Sequence, residues 1–240
     1  MKDKLYAVPH THIVDFAFDQ EVADVFPDMI RRSVPGYETV ISLLSIVAQR
    51  YFKKDTRVYD LGCSLGAATL AVHSIIGSDC QEYVAVDNSE SMVDGCRAYL
   101  DRRITDSPVR CIEGDIRDVD IRNASVVILN FTLQFLPVED RAVMIARLYK
   151  GLVPGGVLIV SEKVVGGSEA EDQTLVALYH GFKAANGYSD LEISQKRTAL
   201  EKVMVLDSID THFERLRTAG FSETRLWYQC FNFVSMFAVK

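Results

Sequence analysis

From Arg57 onward, five short apolar runs, at residues 58–61, 83–86, 109–112, 126–129 and 157–160, alternate with segments of helical periodicity. Strands joined by helix-length connections pair in parallel through crossovers, so this rhythm predicts an α/β fold with a mainly parallel sheet and helices on both faces. Two later strand patterns, at 223–228 and 232–239, read as a hairpin on the sheet edge and bring the count to seven strands. Ahead of the sheet, residues 20–52 read as two helices broken at Pro35-Gly36, with Ile41, Leu44, Val47 and Ala48 at helical spacing in the second. Between the fifth run and the hairpin, residues 168–206 read as mainly helical, with Ser168 and Glu171 spaced as a capping box. The expectation is one domain over 1–240: an N-terminal helical cap (1–56), a core (57–165), a helical insertion (166–210) and the C-terminal strands (211–240).

Composition narrows the partners. With 48% hydrophobic and 25% charged residues, the chain can bury one sizeable core. A net charge of −7 argues against direct nucleic-acid binding, which relies on clustered Lys and Arg, and favours a small substrate. The five cysteines, Cys63, Cys80, Cys96, Cys111 and Cys230, form no C-x-x-C pair, which fits reduced thiols in a cytoplasmic protein. Met1-Lys2-Asp3-Lys4 opens no apolar leader, and no stretch has the length to cross a membrane. The histidines are dispersed, and His10-x-His12 reads as a surface terminal arm, so no metal is expected.

In a doubly wound sheet, ligands sit beyond the carboxyl ends of the strands, so the residues that follow each run carry the information. The first run leads into Asp60-Leu61-Gly62-Cys63-Ser64-Leu65-Gly66, where the glycines permit a sharp turn close to a ligand. Asp60 is placed to hold a ligand ammonium or the turn itself. The second run ends in Asp87-Asn88, a carboxylate that can accept from both hydroxyls of a ribose. Gly114-Asp115-Ile116 follows the third, placed to read an adenine edge, and Asn130-Phe131-Thr132 follows the fourth, over the reactive end. Leu152-Val153-Pro154-Gly155-Gly156 reads as a turn before the fifth run. Cys63 reads as a small packing residue rather than a nucleophile.

This order resembles the Rossmann-like fold of the class I S-adenosylmethionine-dependent methyltransferases, although Ser64 stands where their turn has its middle glycine. A dinucleotide dehydrogenase is the competing expectation, since Tyr179-His180-Gly181-Phe182-Lys183 echoes a Tyr-x-x-x-Lys motif. Against it, more than fifty residues precede the glycine turn and Asp60 leads into it. Tyr179 and Lys183 are better read as neighbours on one helix face.

Longer segments resemble one family, the carboxy-S-adenosyl-L-methionine synthases that supply a tRNA wobble-uridine modification. They are Val22-Ala23-Asp24-Val25-Phe26-Pro27-Asp28-Met29-Ile30, Arg32-Ser33-Val34-Pro35-Gly36-Tyr37, the turn from Tyr59 to Leu70, Asn130-Phe131-Thr132-Leu133-Gln134-Phe135-Leu136, and Glu192-Ile193-Ser194-Gln195-Lys196-Arg197. The resemblance implies conversion of S-adenosylmethionine and prephenate into carboxy-S-adenosylmethionine with release of phenylpyruvate. It also implies that Tyr37, Gly62, Cys63, Ser64, Asp87, Asn88, Asp115, Ile116, Asn130 and Arg197 line the ligand, with Tyr37, Asn130 and Arg197 at the reacting end. An added carboxylate is an anion that Arg197 can grip through two parallel N–H bonds. The family match further implies a homodimer packed through the insertion, from which Arg197 can reach a neighbouring chain. For the carboxylates of prephenate the candidates are Arg31, Arg32 and Lys196. A conventional small-molecule methyltransferase and a binding protein without turnover remain the alternatives.

Overall fold

The computed structural model describes residues 1–240. Seven strands form one sheet in the order β3-β2-β1-β4-β5-β7-β6, where β1 is Arg57–Leu61, β2 Glu82–Asp87, β3 Val109–Glu113, β4 Ala124–Asn130, β5 Leu152–Lys163, β6 Glu223–Cys230 and β7 Phe233–Val239. The pairs β2–β3, β1–β2, β1–β4 and β4–β5 are parallel, and β7 runs antiparallel to both of its neighbours. The C-terminal hairpin is present, yet β7 lies inside the sheet and β6 alone forms the edge. Burial explains the choice, because Phe233, Val234, Met236 and Ala238 are buried whereas β6 has no buried residue.

In the middle of the sheet, successive residues of β4 serve opposite faces. Val127 and Leu129 join the larger apolar cluster with Met144, Ile145 and Leu216, from α5 (Val138–Gly151) and α8 (Ile209–Ala219). Val126 and Ile128 join a second cluster with Leu44, Ala48, Ala68 and Val72, from α2 (Tyr37–Tyr51) and α3 (Ala67–Ile76). Helices therefore cover both faces, and each strand end is left as the place where loops are free to carry chemistry.

The N-terminal helices α1 (Gln20–Ser33) and α2 break at Pro35-Gly36 as expected. α4 (Glu90–Asp101) follows β2, and the insertion holds α6 (Glu169–Ala185) and α7 (Asp190–Leu200). Ser168 Oγ caps the N–H of Glu171, but the Glu171 carboxylate accepts from Gly167 instead of closing the box. The reciprocal box forms one helix later, between Ser189 and Glu192. The Pro154-Gly155-Gly156 segment is an irregularity within β5 rather than a turn before it. Leu152 pairs with Ala124 ahead of it, Val157 pairs with Val126 after it, and Gly155 donates to the carbonyl of Lys240.

The first nineteen residues are not a free arm. Asp3 is 2% exposed and accepts from Tyr188 and Lys196. Gln195 donates to the carbonyls of Tyr6 and Val8 and accepts from the N–H of His10, while the Phe16 N–H donates to Ala199. This strap runs across the carboxyl edge of the sheet against α7. No helix is long and apolar enough to cross a membrane.

Candidate active site

At the end of β1 the chain turns at Gly62, whose φ is +81°. A Cβ there would lie 2.3–2.9 Å from side-chain atoms of Thr132, so Gly62 is required both by its conformation and by the approach of the β4 loop. Gly62→Ala should cost about 2–4 kcal/mol, combining a left-handed alanine with overpacking, read as a lower urea midpoint at unchanged slope. Ser64 adopts φ +47°, so it takes the left-handed shape without being glycine, at a strain of about 1 kcal/mol. Its N–H donates to Asp87 Oδ2 at 2.9 Å, and Ser89 donates to Oδ1 at 3.1 Å. The Asp87 carboxylate thus ties the first two strand ends together while burial holds its pKa above the usual range.

Asp60 divides its two oxygens. Oδ2 accepts from the Thr69 N–H at 3.0 Å and hydroxyl at 2.7 Å, anchoring the first turn of α3. Oδ1 is buried and has no partner in the chain. Burial pushes the carboxyl up to about 6 despite the Thr69 bonds. Asn130 Oδ1 is a second buried acceptor without a partner. Both residues line one inner cavity, so two orphaned acceptors there fit a ligand that brings donors, such as an ammonium.

That inner cavity, about 120 Å³, is also lined by Tyr37, Gly62, Cys63 and Ser64. An outer cavity of about 590 Å³ is lined by Gly62, Ser64, Asp87, Asn88, Asp115 and Ile116. The two share Phe16, Phe18, Gly62, Ser64, Phe131 and Phe135, so they are halves of one cleft. Asp115 is held low by Arg117, which bonds it at 2.6 Å, leaving Ile116 as the apolar contact at that end. The Cys63 thiol contacts Cys96 at 3.8 Å; burial and the nearby Asp60 and Asp87 carboxylates outweigh that contact and push it up, which suits a neutral packing group. Tyr37 is likewise raised by burial. No cluster of three His, Cys, Asp or Glu side chains is grouped to hold a metal ion.

A methyltransferase-domain family model matches residues 58–156. Among solved structures, an O-methyltransferase from Nostoc punctiforme PCC 73102 aligns with a TM-score of 0.65 at 16% identity, covering 92% of this chain and 59% of that one. Magnesium protoporphyrin IX methyltransferase from Synechocystis PCC 6803, solved with bound SAH, aligns at 0.61 and 14% identity, covering 88% and 87%. These likenesses establish the Rossmann-like class I methyltransferase fold. The carboxy-S-adenosyl-L-methionine synthase of Photobacterium profundum is 55% identical over 239 residues, spanning 100% of this chain and 98% of the relative. The chain belongs to the carboxy-S-adenosyl-L-methionine synthase family. The family member from Vibrio cholerae serotype O1 is 54% identical, over 100% of this chain and 97% of its own length.

Within this synthase-family chain, Arg197 stands apart from the other candidate residues. Its side chain is 62% exposed, 3.6 Å from Glu201, and lines neither cavity. A single chain therefore does not bring Arg197 to the cleft, because α7 turns that side of the helix to solvent. Of the three other cations, Arg31 faces outward beside Glu38. Arg32 lines neither cavity: Nε and Nη1 donate to the carbonyls of Asn186 and Asp3 and to the Asp28 carboxylate, while Nη2 is buried without a partner. Only Lys196 lines the cavity. Tyr179 and Lys183 do lie one turn apart on α6, the ammonium 5.1 Å from the ring centroid. Tyr179, Lys163, Phe16 and Phe18 also line the cleft and are absent from the set predicted from sequence. Lys163 ends β5, so the rule that selected the other strand ends applies to it equally; Phe16 and Phe18 carry no such signal.

Proposed function

We propose that this protein converts S-adenosylmethionine and prephenate into carboxy-S-adenosylmethionine, releasing phenylpyruvate, and so supplies the donor for a carboxymethyl-type modification of a tRNA wobble uridine. The observation that carries the reading is the pair of orphaned acceptors, Asp60 Oδ1 and Asn130 Oδ1, in a cleft continuous with Asp87. Asp60 takes the ammonium, Asp87 the ribose hydroxyls, and Ile116 the adenine face. The family to which the chain belongs supplies the group transferred.

The chemistry needs enclosure more than a strong protein acid or base. Prephenate breaks its bond to the ring carboxylate and its ring C–O bond as it aromatises, yielding carbon dioxide, hydroxide and phenylpyruvate. Hydroxide removes a proton from the sulfonium methyl and leaves as water, and the ylide carbon bonds to carbon dioxide. Phe16, Phe18, Phe131 and Phe135 at the junction of the two cavities exclude water while the carbon dioxide is held.

The protein acts as a homodimer in the cytoplasm, with Arg197 of one copy gripping the new carboxylate in the other; its exposure on α7 supports that role. The uridine is met by a later enzyme, in keeping with the net charge of −7. Mass spectrometry of the nucleoside products, with and without prephenate, tests the reading. Prephenate-dependent gain of a carboxyl group supports it; methyl loss to an acceptor would identify a conventional methyltransferase. Arg197→Ala should weaken the carboxylated product about tenfold to a hundredfold, from about 1.5–3 kcal/mol of charge-assisted bonding, and leave S-adenosylmethionine unchanged. Equal weakening of both removes Arg197 from the site.

A further inference from the structure

At the inner end of the cleft, three lysines converge on Tyr179 and Tyr188. Lys163, half-buried, places Nζ 4.6 Å from the Tyr179 ring centroid. Lys183 is 3% exposed, with Nζ 5.1 Å from the Tyr179 centroid and 5.8 Å from that of Tyr188. Lys196 is 5% exposed, 5.5 Å from the Tyr188 centroid. Only Lys196 has a carboxylate within ion-pair distance, Asp3 at 3.5 Å, and that carboxylate is shared with the Tyr188 hydroxyl at 2.5 Å. Three buried or half-buried cations thus share one ion-paired anion, with Asp172 acting on Lys163 only from beyond contact distance.

Such an imbalance is costly, since a buried charge without a partner forfeits its solvation. Burial and mutual repulsion accordingly draw Lys183 down to about 7 and burial draws Lys163 and Lys196 down to about 8. Tyrosine ring faces offset only part of the deficit. The sign of the charge decides what belongs there. A sulfonium is repelled by these ammonium groups, whereas an acid carrying two negative charges supplies the contacting anions that Lys163 and Lys183 lack. Lys163 and Lys196 line the cavity that holds Asp60 and Asn130, so an acid bound to them lies beside the sulfonium pocket.

We propose that Lys163, Lys183 and Lys196 form the receptor for the dianionic co-substrate, Lys163 and Lys196 contacting its carboxylates and Lys183 adding charge from behind Tyr179. The inference rests on the proposed use of a dicarboxylic acid, and wild-type turnover of prephenate tests that use separately. If the wild-type enzyme forms no carboxylated product from prephenate, the functional reading fails. If it does, Lys163→Met and Lys183→Met should each raise the prephenate KM tenfold or more, with S-adenosylmethionine affinity held within threefold. Lys163→Arg, which keeps the charge, should recover most of that loss. Since a packing role also predicts changes in stability, the KM-against-affinity split is the deciding readout. An unchanged prephenate KM in a folded variant overturns the proposal. So does a parallel fall in S-adenosylmethionine affinity, which would assign the lysines to that ligand's own carboxylate. A measurement on the unaltered protein covers variants that do not fold. Saturating prephenate should slow reductive methylation of Lys163 at least threefold, followed by peptide mass spectrometry, and equal rates with and without prephenate would overturn the assignment.

Discussion

Asp87→Ala should lower the affinity for S-adenosylmethionine by roughly a hundredfold to ten-thousandfold. A carboxylate offers about four lone-pair sites, and here two are filled by the N–H groups of Ser64 and Ser89. The carboxylate also lines the outer cavity, where its remaining acceptor capacity can meet a ribose diol. Two charge-assisted bonds at about 1.5–3 kcal/mol each give about 3–6 kcal/mol, and each 1.4 kcal/mol is a factor of ten. The alanine also frees the Ser64 turn, which holds a left-handed conformation with the help of that bond. Asp87→Asn keeps one acceptor oxygen and should fall between. Titration calorimetry reads all three proteins, and an alanine variant within fivefold of wild type would remove the ribose assignment.

Asp60 gives the second large effect, expressed through pH. Its carboxyl is pushed up to about 6 by burial, and only the ionised form attracts an ammonium. As pH falls through 6 the unliganded protein takes up a proton there, so apparent affinity should weaken about tenfold per pH unit below 6 and level off above it. Asp60→Asn can still accept from Thr69 through its oxygen, but it turns an amide donor toward the cavity. Affinity should drop about tenfold to a hundredfold at pH 7.5, and the acid limb should vanish. Persistence of that limb in the asparagine variant would place the titrating group elsewhere.

The sheet and its order of chemistry were legible because two simple periodicities write them. Buried parallel strands need unbroken apolar runs, and ligands need polar residues at their carboxyl ends. Nine of the ten residues expected at the ligand, all but Arg197, line the cleft. What escaped depends on contacts between distant parts of the chain. The position of β7 inside β6 is set by packing on β5, which no local pattern states. Nor does local sequence distinguish Lys196, turned inward to Asp3, from its neighbour Arg197, turned to solvent beside Glu201. The difference is one step of about 100° around a helix. Ser64 shows the converse case, in which a departure from the glycine pattern leaves the turn intact because Asp87 holds its N–H.

The strap formed by the first nineteen residues has a consequence for how the enzyme is made. Asp3 and Lys196 are separated by 193 positions, and Gln195 meets Val8 across 187. At about 5–20 residues per second, roughly 10–40 s pass on the ribosome before the strap's anchoring helix exists. During that interval the five parallel strands can assemble while Phe16 and Phe18 wait uncovered, and closing so long a loop is slow compared with local helix formation. Completion of the cleft is therefore among the last events of folding, and a newborn chain holds its nucleotide half before its roof.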